Sequence, residues 1–235
     1  MSMLPHFFSL CNLSCGIYAV YLALQGNIFQ AACLIFAAMF FDFLDGKVAQ
    51  LMNTISEFGS ELDSLVDIIS FGIAPVIIVY MTSVGEYKSL LYLSGFLYMG
   101  CGAIRLSMHN VRSRHGSANK DFFHGLPILV AAGFIMSLVV LHLDFKHPFF
   151  FISILLFMIL AAFLMISHIR YPRLSHIKLV SKKLFLAVFL LLAAASFLYF
   201  KFIPLLCFTA YSLIGILMEA QKWNLRRKKG NIAHY

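Results

Sequence analysis

Six of the ten acidic residues in this 235-residue chain lie between positions 42 and 67: Asp42, Asp45, Glu57, Glu61, Asp63 and Asp67. The four aspartates sit at or inside the ends of apolar runs. An ionised side chain in such a setting is costly and calls for a function and a partner. Asp42 and Asp45 are spaced i, i+3 and share one helix face, and Asp63 and Asp67 do the same at i, i+4. If the stretch between the pairs lets two helices return antiparallel, four carboxylates converge in one pocket. Unneutralised, they would repel strongly in a low dielectric. Protons, basic side chains or divalent cations could neutralise them, but only Lys47 lies within the stretch. An all-oxygen ligand set suits Mg²⁺ or Mn²⁺ rather than zinc.

The elements that must position these groups are membrane spans. Hydrophobic residues make up 61% of the chain and charged residues 12%, too little polar surface for a soluble domain of this length. A spanning helix needs roughly 20 mainly apolar residues. Eight such segments are read, over 5–25, 28–50, 58–82, 88–108, 125–143, 148–168, 183–200 and 202–221. The expected fold is therefore an all-α polytopic membrane protein with about eight transmembrane helices. The start of the chain lacks a basic region and a small-residue cleavage site, so Leu4 to Leu24 reads as a retained first span.

The net charge of +8 resembles a nucleic-acid signal until the charges are placed. With eight spans, Lys88, Lys146 and Lys201 face one side, and all the other lysines and arginines face the side that holds both termini. That asymmetry is the positive-inside pattern. It predicts cytoplasmic termini and a basic tail, 222–235, set against anionic headgroups, with no nucleic-acid partner. The five cysteines all lie inside apolar runs and read as small lipid- or core-facing residues without a disulfide framework.

Gly46 and Ala49 follow the first aspartate pair, and Gly59 precedes the second. Small residues let a ligand approach helix backbones, and they also serve plain helix packing. The stretch Asp42-Phe-Leu-Asp45-Gly46-Lys-Val-Ala49-Gln50, eight residues, then Gly59-Ser-Glu-Leu-Asp63-Ser-Leu-Val-Asp67 resembles the CDP-alcohol phosphotransferase signature. That signature reads D-x-x-D-G-x-x-A-R, eight residues, G-x-x-x-D-x-x-x-D. Only Gln50, where the family has Arg, departs from it. The resemblance implies a six-helix core, here residues 1–182, with 183–221 as two added helices. It also implies a homodimer, two divalent metals, a CDP-lipid donor and release of CMP. Asp42, Asp45 and Asp63 would be metal ligands, and Asp67 a ligand or the general base. Gly46, Lys47, Ala49, Gln50 and Gly59 would serve the CDP site.

Later segments resemble the phosphatidylserine synthase branch. They are Leu10-Cys-Asn12-Leu with Gly16, Cys101-Gly-Ala-Ile-Arg105-Leu, Phe123-His124-Gly-Leu-Pro127-Ile, and Leu164-Met-Ile-Ser-His-Ile-Arg170-Tyr-Pro172. The branch implies CDP-diacylglycerol and L-serine as substrates, at the inner membrane of a bacterial-type cell with the site facing the cytoplasm. Met108 and His109 stand where the branch often has Arg-Phe. Arg105, Asn110, Arg112 and Arg114 remain to hold a serine carboxylate, though Arg112 and Arg114 also fit ordinary inside-face charges and Arg105 fits snorkelling. Ser9 and Asn12 either help hold the nucleotide or hydrogen-bond between helices.

Two other functions compete. The same chemistry could use glycerol phosphate, inositol phosphate or choline as acceptor. A divalent-cation transporter would show matched acidic sets in two inverted halves, whereas the acids here are concentrated in one hairpin.

Overall fold

A computed structural model describes residues 3–52, 56–83, 87–114, 122–145, 148–167 and 169–172, together with Phe208, Thr209 and Ser212. Six described spans are long and apolar enough to cross a membrane: His6–Leu24, Ile28–Ala49, Glu57–Thr82, Lys88–Arg112, Ile128–Phe145 and Phe149–Ile166. They match the first six segments read from the sequence, and the protein is an all-α polytopic membrane protein. The expected spans 183–200 and 202–221, but for those three residues, lie outside the described residues, as does the basic tail.

The first two helices, α1 (Met3–Leu24) and α2 (Ile28–Leu51), form a tight antiparallel pair. Their turn is closed by Gly26, at φ 82°, a backbone region that L side chains adopt at a steric cost. Gly26 N–H donates to Ala23 O at 3.0 Å and Asn27 N–H to Leu22 O at 2.9 Å, the paired bonds of a Schellman ending. Ala19, Ala23, Ala31, Ala32 and Ala38 are all buried. Small side chains of this kind allow close helix approach where lipid offers no hydrophobic drive for association.

The third span opens with α3 (Glu57–Asp67), where Ser56 Oγ accepts the Gly59 N–H at 3.0 Å and so satisfies one of the orphan donors of a helix start. Instead of running on as a plain α-helix, the span widens into a π-helical turn over Ile68–Ile73 before α4 (Ala74–Thr82). Pro75 supplies the cause. It has no N–H for the carbonyl four residues back, and its ring clashes there. That carbonyl belongs to Phe71. The chain responds with a wider bond, Ala74 N–H to Ile69 O. Tyr98 from the next helix donates its hydroxyl to Phe71 O at 2.8 Å. Local π adjustment and donors from neighbouring helices are how proline is tolerated within a membrane. Both residues are fully buried, where a carbonyl left unsatisfied would cost about 1–3 kcal/mol.

The fourth span is α5 (Lys88–Arg114), followed by α6 (Ile128–Phe145) and α7 (Pro148–Ile166). α6 is buried over most of its length and packs on α7 and α2. A short antiparallel ribbon pairs β1 (Phe122–His124) with β2 (Arg170–Pro172). By chain succession it lies at the end of the bundle that also holds the C-terminal turns of α2 and α5 and the start of α3. The bonds Gly125 N–H to Ile169 O and Leu126 N–H to Leu164 O continue the ribbon's junction.

Candidate metal and substrate site

Asp42 lies near the end of α2, and Asp63 and Asp67 lie on α3. One carboxylate oxygen from each comes within 4.8 Å of the others. The cluster therefore draws on two separate helices, with Asp63 and Asp67 sharing a face at their i, i+4 spacing. Oδ1 of Asp63 and Oδ1 of Asp67 are buried without a hydrogen-bond partner. Buried acceptors are normally satisfied, so these two atoms are oxygens waiting for a cation or a proton. Three clustered carboxylates, two of them with an unsatisfied buried oxygen, fit a divalent ion that takes hard oxygen ligands.

Asp45 lies outside that three-residue group, three residues after Asp42 on α2. It is buried, at 6% exposure, and its Oδ2 accepts a 2.9 Å hydrogen bond from Ser9 Oγ. The sequence alone left Ser9 between nucleotide binding and helix bonding; here it bonds across helices, to one of the aspartates. α1 packs against α2, α3 and the π turn and so forms a wall of the site that the signature alone does not include. Deeper on the same helix, Asn12 is fully buried. Its backbone carbonyl accepts from Ser70 Oγ at 3.3 Å, while its side-chain amide has no partner.

The two signature glycines differ in their surroundings. A Cβ on Gly46 would meet nothing within 4 Å, so the backbone there is open to a ligand. A Cβ on Gly59 would lie 3.1 Å from Ser56 Oγ and 3.2 Å from His6 Cε1, so packing alone explains that glycine. Ala49 is half-buried, and Lys47 is exposed with its ammonium 5.5 Å from the Phe43 ring centre. Gln50 belongs to α2, but its side chain is outside the described residues.

The acceptor candidates all lie on the last turns of α5. Arg105 and Asn110 are buried, at 9% and 8% exposure, and Arg112 is half-buried. Burial of Arg105 places it within the protein and away from a lipid-facing, snorkelling position. Asn110 Nδ2 donates to Ser64 Oγ at 3.0 Å, and that hydroxyl lies 3.0 Å from Ser60 O. Asn110 is thereby tied to the residue next to Asp63. The side chain of Arg114 lies outside the described residues. Ser64 and Tyr98 were not singled out from sequence; a hydroxyl in an apolar run is a weak signal until its partner is known.

The family model of CDP-alcohol phosphatidyltransferases matches residues 2–220 of the chain. The chain is similar to the CDP-diacylglycerol–serine O-phosphatidyltransferase of Helicobacter pylori, at 33% identity over 81% of this chain and 80% of that protein. It is similar to the protein of the same name from Methanocaldococcus jannaschii, at 34% identity over 89% and 90%. It is also similar to the archaetidylserine synthase of Methanothermobacter thermautotrophicus, at 39% identity over 72% and 70%.

Proposed function

Because this chain belongs to the CDP-alcohol phosphatidyltransferase family, we propose that it transfers the phosphatidyl group of CDP-diacylglycerol to the hydroxyl of L-serine, giving phosphatidylserine and CMP. The observation that carries the reading is the meeting of Asp42, Asp63 and Asp67 oxygens within 4.8 Å. The choice of serine is supported by the relatives, whose names differ in the lipid and agree on serine. Arg105, buried on the helix that also carries Asn110, supports a carboxylate-bearing acceptor.

In this mechanism Asp42, Asp63 and Asp67 would hold one or two Mg²⁺ or Mn²⁺ ions, with Asp45 steadied beside them by Ser9. Such ions, when bound, would supply positive charge to stabilise the diphosphate and the departing CMP. The open backbone at Gly46, with Lys47, Ala49 and Gln50, admits the cytidine diphosphate. Gly59 supports the same wall by packing on Ser56 and His6. Arg105 and Arg112 orient the serine carboxylate, and Asn110 and Arg114 complete the acceptor-binding set. The serine oxygen forms a bond to the lipid-bearing phosphorus as the bond from that phosphorus to the CMP oxygen breaks. Asp67 takes the hydroxyl proton. A site facing the cytoplasm and a homodimer complete the proposal. The first is supported by the basic-residue asymmetry and the second by the family resemblance.

The test is CMP release from CDP-diacylglycerol by purified protein, with L-serine, glycerol phosphate, inositol phosphate and choline supplied separately. Release is expected with serine and not with the other three. Release with a phosphorylated alcohol alone would overturn the choice of acceptor. Manganese flux through proteoliposomes without CMP release would overturn the enzyme reading.

A further inference from the structure

The π turn begins at the residue after Asp67 and ends just before the helix that carries Pro75. One extra residue in a single turn offsets the helix before it from the helix after it by about one residue's rotation, roughly 100°. The two halves of the third span can therefore face different ways. Upstream, Asp63 and Asp67 turn towards Asp42. Downstream, Ala74, Ile78 and Val79 remain fully buried. A continuous α-helix would hold one of these faces in register and turn the other away.

Three contacts fix the turn. Pro75 removes the N–H that an α-helix would need at Phe71 O. Tyr98, fully buried on α5, donates to that same oxygen at 2.8 Å. On the opposite side, Ser70 Oγ donates to Asn12 O at 3.3 Å, with α1 drawn so close that a Cβ on Gly16 would collide with the Ser70 hydroxyl. We propose that Tyr98 is a positioning residue: by holding Phe71 O in the π turn that Pro75 creates, it sets the rotation at which Asp63 and Asp67 meet Asp42. The inference rests on the metal-holding role given above to those aspartates. It also makes α5 a shared part, since the helix that presents Arg105 and Asn110 is the one that sets the cation cluster.

The experiment measures Mn²⁺ uptake by the resting protein in detergent, without substrates, from the electron paramagnetic resonance signal of free Mn²⁺, alongside the unfolding temperature. Tyr98→Phe keeps the ring and removes only the hydroxyl; about tenfold weaker Mn²⁺ binding is expected. Pro75→Ala gives Phe71 O a backbone donor and lets the α-helix re-form. A higher unfolding temperature together with similarly weakened Mn²⁺ binding is expected, opposed movements that a purely structural role would not produce. Leu91→Val, at a buried position on the same helix, serves as a control: it should lower the unfolding temperature and leave Mn²⁺ binding unchanged. The proposal is overturned if Tyr98→Phe or Pro75→Ala binds Mn²⁺ within twofold of wild type, or if Leu91→Val weakens it as much as Tyr98→Phe. Should Tyr98→Phe not fold, Pro75→Ala decides alone. Wild-type protein that takes up no Mn²⁺ would remove the metal reading itself, and this inference with it.

Discussion

Ser9 Oγ donates to Asp45 Oδ2 at 2.9 Å, so the first helix steadies an aspartate of the second at the edge of the carboxylate cluster. A hydrogen bond to a charged group contributes about 1.5–3 kcal/mol, or roughly 10- to 100-fold if the whole of it is felt in the transition state. Ser9→Ala is expected to reduce serine-dependent CMP release by an amount in that range. Ser9→Thr, which keeps a hydroxyl, should recover most of it. Equal turnover in Ser9→Ala and wild type would show that Asp45 needs no such support.

Gly46 and Gly59 make opposite predictions from the same substitution. Alanine at Gly46 enters open space and gains about 1 kcal/mol of helix propensity. Gly46→Ala should therefore keep or raise the unfolding temperature while raising the KM for CDP-diacylglycerol about tenfold. Alanine at Gly59 presses on Ser56 and His6, and overpacking costs roughly 1–3 kcal/mol. Gly59→Ala should lower the unfolding temperature. A Gly46→Ala protein with unaltered KM would leave that face without a ligand.

What was legible in the sequence was whatever a single helix period carries. The spacings Asp42–Asp45 and Asp63–Asp67 put each pair on one face, and apolar run length gave the six described spans. What was not legible was how separate spans meet. Pro75 is plain in the sequence, but its effect depends on a tyrosine 23 residues later whose hydroxyl reaches Phe71 O. Ser9 stands out as a polar residue in an apolar run; its partner, Asp45, sits 36 residues away, and the Asn12 backbone carbonyl meets the Ser70 hydroxyl 58 residues away. The expectation of four converging carboxylates follows from treating α2 and α3 alone. α1 adds the hydroxyl that bonds Asp45, beside the close group of Asp42, Asp63 and Asp67.

Asn110 and Ser64 form a pair that kinetics can dissect. Asn110 Nδ2 donates to Ser64 Oγ at 3.0 Å. If this bond orients Asn110 towards the acceptor, Ser64→Ala should raise the KM for serine severalfold and leave that for CDP-diacylglycerol unchanged. Adding Ser64→Ala to Asn110→Ala should then cost nothing further, since residues in one hydrogen-bonded pair are not additive. Fully multiplicative effects of the two substitutions on the serine KM would show that they act independently.

The charge of the cluster gives the most direct prediction. Asp42, Asp63 and Asp67 bring oxygens within 4.8 Å, a spacing that repulsion opposes unless positive charge or protons intervene. Chelator treatment should abolish CMP release, and Mg²⁺ or Mn²⁺ should restore it. Ca²⁺, which takes more ligands at longer distances, should restore it poorly. Replacing one of the three carboxylates by its amide keeps the shape and removes a charge. Asp42→Asn, Asp63→Asn and Asp67→Asn should each lower turnover by 10²-fold or more, on the order of losing one major electrostatic contributor to a transition state. Glu57, exposed in the first turn of α3, provides the contrast, and Glu57→Gln should stay within about twofold of wild type on the usual scale of surface substitutions. Turnover in Asp67→Asn equal to that in Glu57→Gln would remove Asp67 from the chemistry, and full activity in the presence of chelator would remove the metal.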